Sequence, residues 1–116
     1  MPRCYLLLSA LLLGACSPTP PPTDAWLGRW VGVEGLVLQI DPAADGKPGH
    51  YRLAMQYSLD DHGTFDGQAD GNAITFTRPD GAHQLVPGNG AATGLKWLAD
   101  KQNCLVVQEG EGYCRE

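Results

Sequence analysis

Turn-forming residues recur so often along this chain that a helix of ordinary length has little room between them. After Asp41-Pro42 they fall at Asp60–Gly63, Asp70-Gly71-Asn72, Pro79-Asp80-Gly81, Pro87–Gly90 and Gly110-Glu111-Gly112. Most are separated by about 8–12 residues, the spacing of short strands joined by tight turns. The segments between them are rich in β-branched, aromatic and aliphatic residues: Leu36–Ile40, His50–Tyr57, Thr64–Ala69, Ala73–Arg78, His83–Val86 and Cys104–Val107. Alternation in the second of these sets Tyr51, Leu53, Met55 and Tyr57 on one face. Leu95–Asp100 reads equally well as a helical turn or a strand. The pattern predicts an all-β fold, a small antiparallel meander of 7–8 short strands closing into a barrel or sandwich. Its core is expected to hold Leu53, Met55, Ile74, Phe76 and Val106. A hydrophobic content of 43% excludes disorder for most of the chain, and the net charge of −5 argues against a nucleic-acid partner held through phosphates.

The first residues follow a different logic. Arg3 and the start amine are positive, and Tyr5–Leu13 is an apolar run of nine. A membrane-spanning helix needs about 20 apolar residues, so this run has the length of a leader. It ends in Leu13-Gly14-Ala15-Cys16, which resembles the lipobox of bacterial lipoproteins. The resemblance implies a signal peptide over 1–15, cleavage before Cys16, a diacylglyceryl thioether on the Cys16 sulfur and an acyl chain on the new amine. With Ser17 after the cysteine, it further implies the outer membrane, periplasmic face, as the destination. Four prolines in Ser17–Thr23 favour a polyproline spacer that lifts the domain about 20 Å. Residues 16–25 are thus expected as lipidated cysteine and linker, and 26–116 as the barrel.

Cys4 falls in the leader. Cys104 and Cys114 remain as an even pair, which in an oxidising compartment reads as a disulfide joining the last two strands. The spacing fits neither a CxxC redox pair nor a zinc site.

Gly28-Arg29-Trp30 at the start of the first strand resembles the Gly-x-Trp of lipocalins and related calycin barrels. That resemblance implies that Trp30 closes one barrel end and that an arginine near the C-terminus, here Arg115, packs on its ring. The layout from Trp26 to Gly112-Tyr113-Cys114-Arg115 also resembles small lipoproteins of Gram-negative bacteria.

Signs of catalysis are sparse. Past Cys16 the chain has only Ser17 and Ser58 as serines, and no Gly-x-Ser-x-Gly, His-Glu-x-x-His or phosphate loop occurs. His50, His62 and His83 sit at strand or turn ends and read as solvated edge residues. Asp66 and Glu111 would form a carboxylate pair only if the fold joined them. Asp60, Asp61, His62, Asp66 and Asp70 could ligate calcium or zinc, but acids beside glycine are ordinary turn chemistry and the EF-hand pattern is absent. Trp97 is expected to pack beneath the C-terminal hairpin; the alternative is an exposed patch with Lys96 and Lys101. The expected role is therefore non-catalytic, without a cofactor: a lipid-anchored binding or accessory protein with an envelope protein as partner. Two alternatives remain open. The chain resembles periplasmic lysozyme inhibitors in being small, all-β and disulfide-clipped, although Gly110–Tyr113 lacks their serine. It also fits a barrel for a small apolar ligand or a metal.

Overall fold

The computed structural model describes residues 19–116. They form a closed antiparallel barrel of eight strands, each paired with its neighbours in sequence. The strands are β1 (Gly28–Val31), β2 (Val37–Pro42), β3 (His50–Gln56), β4 (His62–Asp70), β5 (Ala73–Arg78), β6 (Gly81–Gly88), β7 (Asn103–Gln108) and β8 (Glu111–Arg115). The expected turns fall between them, but the strands run further into the turns than expected: Asp41 and Pro42 belong to β2, His62, Gly63 and Asp70 to β4, Gly81, Pro87 and Gly88 to β6, and Glu111 and Gly112 to β8. Leu95–Asp100 contains a single 3-10 turn, Lys96–Leu98.

Alternation decides what lies inside. Leu38 and Ile40 of β2, Tyr51, Leu53 and Met55 of β3, Ile74 and Phe76 of β5, Leu85, Leu105 and Tyr113 all point inward, each at most 4% exposed. Val106, expected in the core, is half-buried. Cys104 turns outward to its disulfide partner, so the next residue, Leu105, takes the inward place.

The barrel is plugged at the end where the chain enters. Pro22–Trp26 forms a 3-10 turn with proline in its first positions, where a missing N–H costs nothing. Thr23 is fully buried, its hydroxyl 2.6 Å from the Tyr51 hydroxyl, which donates to Asp24 Oδ1 at 2.6 Å. Burial first, and then the Asp24 hydrogen bond, push the Tyr51 phenol up to about 12. The folded body therefore takes in Pro22–Ala25, a correction to the linker boundary read from the prolines. Trp26 packs in the core, and its carbonyl accepts from Trp30 Nε1 at 2.8 Å.

Strands β1 and β8 meet at one register pair, Val31 with Cys114. Arg115 reinforces that seam. Its guanidinium carbon lies 4.0 Å from the centre of the Trp30 ring. Nη1 donates to the Leu27 carbonyl at 3.2 Å, and Nη2 donates to that of Ala25. A cation on an indole face contributes about 0.5–2 kcal/mol.

Cys104 and Cys114 are register partners on β7 and β8 and are disulfide-bonded. The bond sits on the outer face of the barrel. Leu98 covers it, with Leu95 and Val33 partly buried alongside. The sequence separation of 10 closes a short loop, for which chain entropy gives about 2.5–3 kcal/mol. Reduction is expected to lower the stability of the full chain by that amount in urea titrations with and without reductant. An unchanged midpoint would contradict the bridge's stabilising role.

Candidate functional site

The pairing of β4 with β5 is incomplete. β4 is registered along nearly its whole length with β3, from Gln68 opposite His50 to His62 opposite Gln56. Against β5 it is registered only at Gln68–Thr75, Ala69–Ile74 and Asp70–Ala73. Beyond Gln68 the two strands part, and a cleft of about 1100 Å³ opens between them. Thr64 and Asp66 stand on one wall and Thr77, Ala82 and Gln84 on the other; Phe65, Phe76 and Val107 lie deeper.

The parting begins beside Gly67. A Cβ at that position would lie 2.8 Å from Ile74 Cγ2 and 3.1 Å from Leu53 Cδ1. β4 is thus pressed directly onto the core where pairing stops. Gly63, the other inward glycine, is covered by the Phe65 ring, which would lie 2.7 Å from its Cβ. Glycines inside a strand weaken it and mark bends or close approaches. With neither Gly63 nor Gly67 filling the interior, this half of β4 has little to draw it toward β5.

On the opposite side of the opening, Arg78 at the end of β5 turns inward. Its side chain is fully buried, and that of Glu111 on β8 is 8% exposed. Two parallel hydrogen bonds join them, Nη1 to Oε2 at 2.8 Å and Nη2 to Oε1 at 3.0 Å. Asp80 accepts a second pair at 3.1 Å each. Tyr113 donates to Glu111 at 2.7 Å, and the guanidinium lies 4.1 Å over the Tyr57 ring. This cluster fills the second end of the barrel. Burial, the largest single influence on Arg78, favours loss of its proton. The hydrogen bonds to Glu111 and Asp80 outweigh it, and the group is held above its ordinary value. Burial, followed by the Glu111 charge, raises the Tyr113 phenol. The Arg78 hydrogen bond holds the exposed Asp80 carboxyl below its usual range.

The cleft carries little that could do covalent chemistry. His50 Nδ1 lies 2.9 Å from Asp45 Oδ2 at one edge, an orienting pair of the kind that serves a nucleophile. Ser58, the one serine among the described residues, bonds to Asp61 in the β3–β4 turn at the other end of the strand. His83 stacks on Phe76 and reaches Asp80 at 3.0 Å, which leaves it a structural partner.

Gly28, Trp30 and Arg115 are brought together, and Gly28 has φ +119°, backbone that glycine adopts readily. Cys16 and the rest of the leader lie outside the described residues. Asp66 faces outward from β4 while Glu111 is buried inside, so the two do not form a pair. Among the described residues no group of three or more His, Cys, Asp or Glu gathers as a metal site. In Gly110–Tyr113 the Glu111 and Tyr113 side chains are buried, so that segment offers no side-chain-bearing loop to an enzyme cleft. Trp97 overturns the expectation of packing: it is 81% exposed. Successive residues of a 3-10 turn point about 120° apart, and Leu98 takes the place on the disulfide.

Sequence reasoning missed Arg78 and considered Glu111 only beside Asp66, whereas its partner is Arg78. The signal was there: Ile74, Phe76 and Arg78 share one parity on β5, as do Glu111 and Tyr113 on β8. No family model, curated protein or solved structure matches the chain.

Removing one member of a buried ion pair costs about 3–5 kcal/mol, because the other is left charged without a partner. Arg78→Met is expected to destabilise by that much in urea titrations, and Arg78→Met with Glu111→Leu to recover most of it. A loss below about 1 kcal/mol in the single variant, as for an exposed pair, would contradict the arrangement.

Proposed function

We propose that this chain is a lipid-anchored envelope protein with a non-catalytic role, whose barrel binds a partner through the cleft between β4 and β5. The cleft carries the reading. Small barrels that hold ligands commonly do so in an interior reached from one end. Here one end is filled by Pro22–Trp26 and the other by the Arg78–Glu111 cluster, while the axis is packed with aliphatic and aromatic side chains. The lateral opening is a large concave surface beside these filled ends, and its polar walls suit a partner that stays partly in solvent.

The anchor rests on the lipobox-like Leu13–Cys16. A diacylglyceryl group with an added acyl chain, at about 0.8 kcal/mol per buried methylene, makes release from a bilayer negligible. The address is the outer membrane, periplasmic face, with Ser17 the residue that favours it over the inner membrane. That compartment is oxidising, in keeping with the Cys104–Cys114 bridge.

Two measurements on the native protein test the reading. Its mass is expected to exceed that of the chain from Cys16 to Glu116 by three acyl chains and a glycerol unit, and Cys16→Ala to remove the excess and release the protein from membranes. A bare polypeptide mass would refute the anchor. A photo-crosslinking residue at Thr64 or Thr77 is expected to capture an envelope component in intact cells, and the same residue at Glu34 to capture none. Equal capture at all three positions, or none at any, would refute the cleft as the binding surface.

A further inference from the structure

The backbone on both walls of the cleft has polar groups with no strand to satisfy them. Ala69 donates its N–H to the Gly49 carbonyl at 2.7 Å, on the β3 side. Backbone direction alternates along a strand, so Gln68, Asp66 and Thr64 present N–H and C=O to the opposite side, toward β5. Gln68 finds Thr75 there, and the Thr75 hydroxyl also reaches its carbonyl at 3.3 Å. Thr64 and Asp66 have no register partner across the cleft. By the same alternation Thr75 faces β4, and so does Thr77, which is unpaired on that side. β4 from His62 to Gly67 is thus a strand edge inside a barrel that is otherwise closed, and edges of this kind template the addition of another strand.

We propose that the cleft receives an extended, cationic segment of a protein partner, which adds to β4 as a strand by pairing with the Thr64 and Asp66 backbone. The inference rests on the cleft-binding reading above and specifies its occupant. Main-chain hydrogen bonds supply the affinity in this mode and alternate side chains supply the choice. Charge selects the segment. Asp66 projects from the edge itself and Asp45 stands at the rim, while no lysine or arginine lines the cleft. Inward-pointing residues of the added strand would meet Phe65, Phe76 and Val107, so small aliphatic side chains alternating with basic ones fit best. At about 3.4 Å per residue the free edge accommodates some five residues.

The test uses the full-length chain and two acetylated, amidated hexapeptides, one of alternating Lys and Val and one of alternating Glu and Val, followed by amide chemical shifts. The Lys-Val peptide is expected to perturb residues 62–67 and 75–78. Asp66→Lys is expected to weaken it by about tenfold or more, as like charges are brought together. Thr64→Pro removes an N–H on the cleft side and leaves the β3 ladder intact, and is expected to abolish the response while the remaining spectrum keeps its folded dispersion. Perturbation of the same residues by the Glu-Val peptide, or undiminished binding by Asp66→Lys, would overturn the choice of a cationic strand and leave the cleft as a binding surface. Absence of any response in the folded protein would overturn strand addition. The cleft's broader role is read separately, by whether crosslinkers at Thr64 and Thr77 capture a component in cells.

Discussion

Arg78 holds the end of β5 to the far wall of the barrel, and the shape of the molecule depends on that hold. Its guanidinium reaches Glu111 on β8 through two hydrogen bonds and lies over the Tyr57 ring. A charge so placed is tolerated only because its donors are matched by carboxylate oxygens in a fixed planar geometry. Such a pair adds little net stability against an apolar replacement, yet it is costly to break. Its effect here is one of position. The end of β5 belongs to β6 and β8, the first half of β4 belongs to β3, and no inward side chain at Gly63 or Gly67 bridges them.

The same economy of space explains why the barrel is solid along its axis. Eight short strands enclose an interior that side chains can just fill. Tyr51 and Trp30, with the turn of Pro22–Trp26, complete one end, and a polar cluster completes the other. Arg115 and the Cys104–Cys114 bridge secure β8 on both sides, to β1 and to β7. The chain is therefore firmly closed at its termini and open in its middle.

Much of the fold was legible because turn chemistry and alternation act locally. Pro79-Asp80-Gly81 and Asp70-Gly71-Asn72 leave the chain few alternatives, and Cys104 and Cys114 fall in facing strands. The failures have physical causes too. Prolines stiffen a spacer and also suit the first turn of a 3-10 helix, so Pro22–Ala25 could be read either way until Tyr51 was in place to receive Thr23. Trp97 lies in a single 3-10 turn, too short for periodicity to say which residue faces the disulfide. The cleft itself was invisible. It arises from what is missing between two strands, and Gly63 and Gly67 give the only local hint. Arg78 was the readable residue that went unread: charge suggests a surface position, but its parity with Ile74 and Phe76 places it inside.

A β4 edge that is free in solution leaves its mark on hydrogen exchange measured amide by amide. Thr64, Asp66 and Thr77 are expected to exchange quickly although they lie within strands, while the amides of β3, paired on both sides, are strongly protected. Protection of those three comparable to that of β3 would mean that β4 and β5 are zipped along their length, and the cleft would have no place in the native protein.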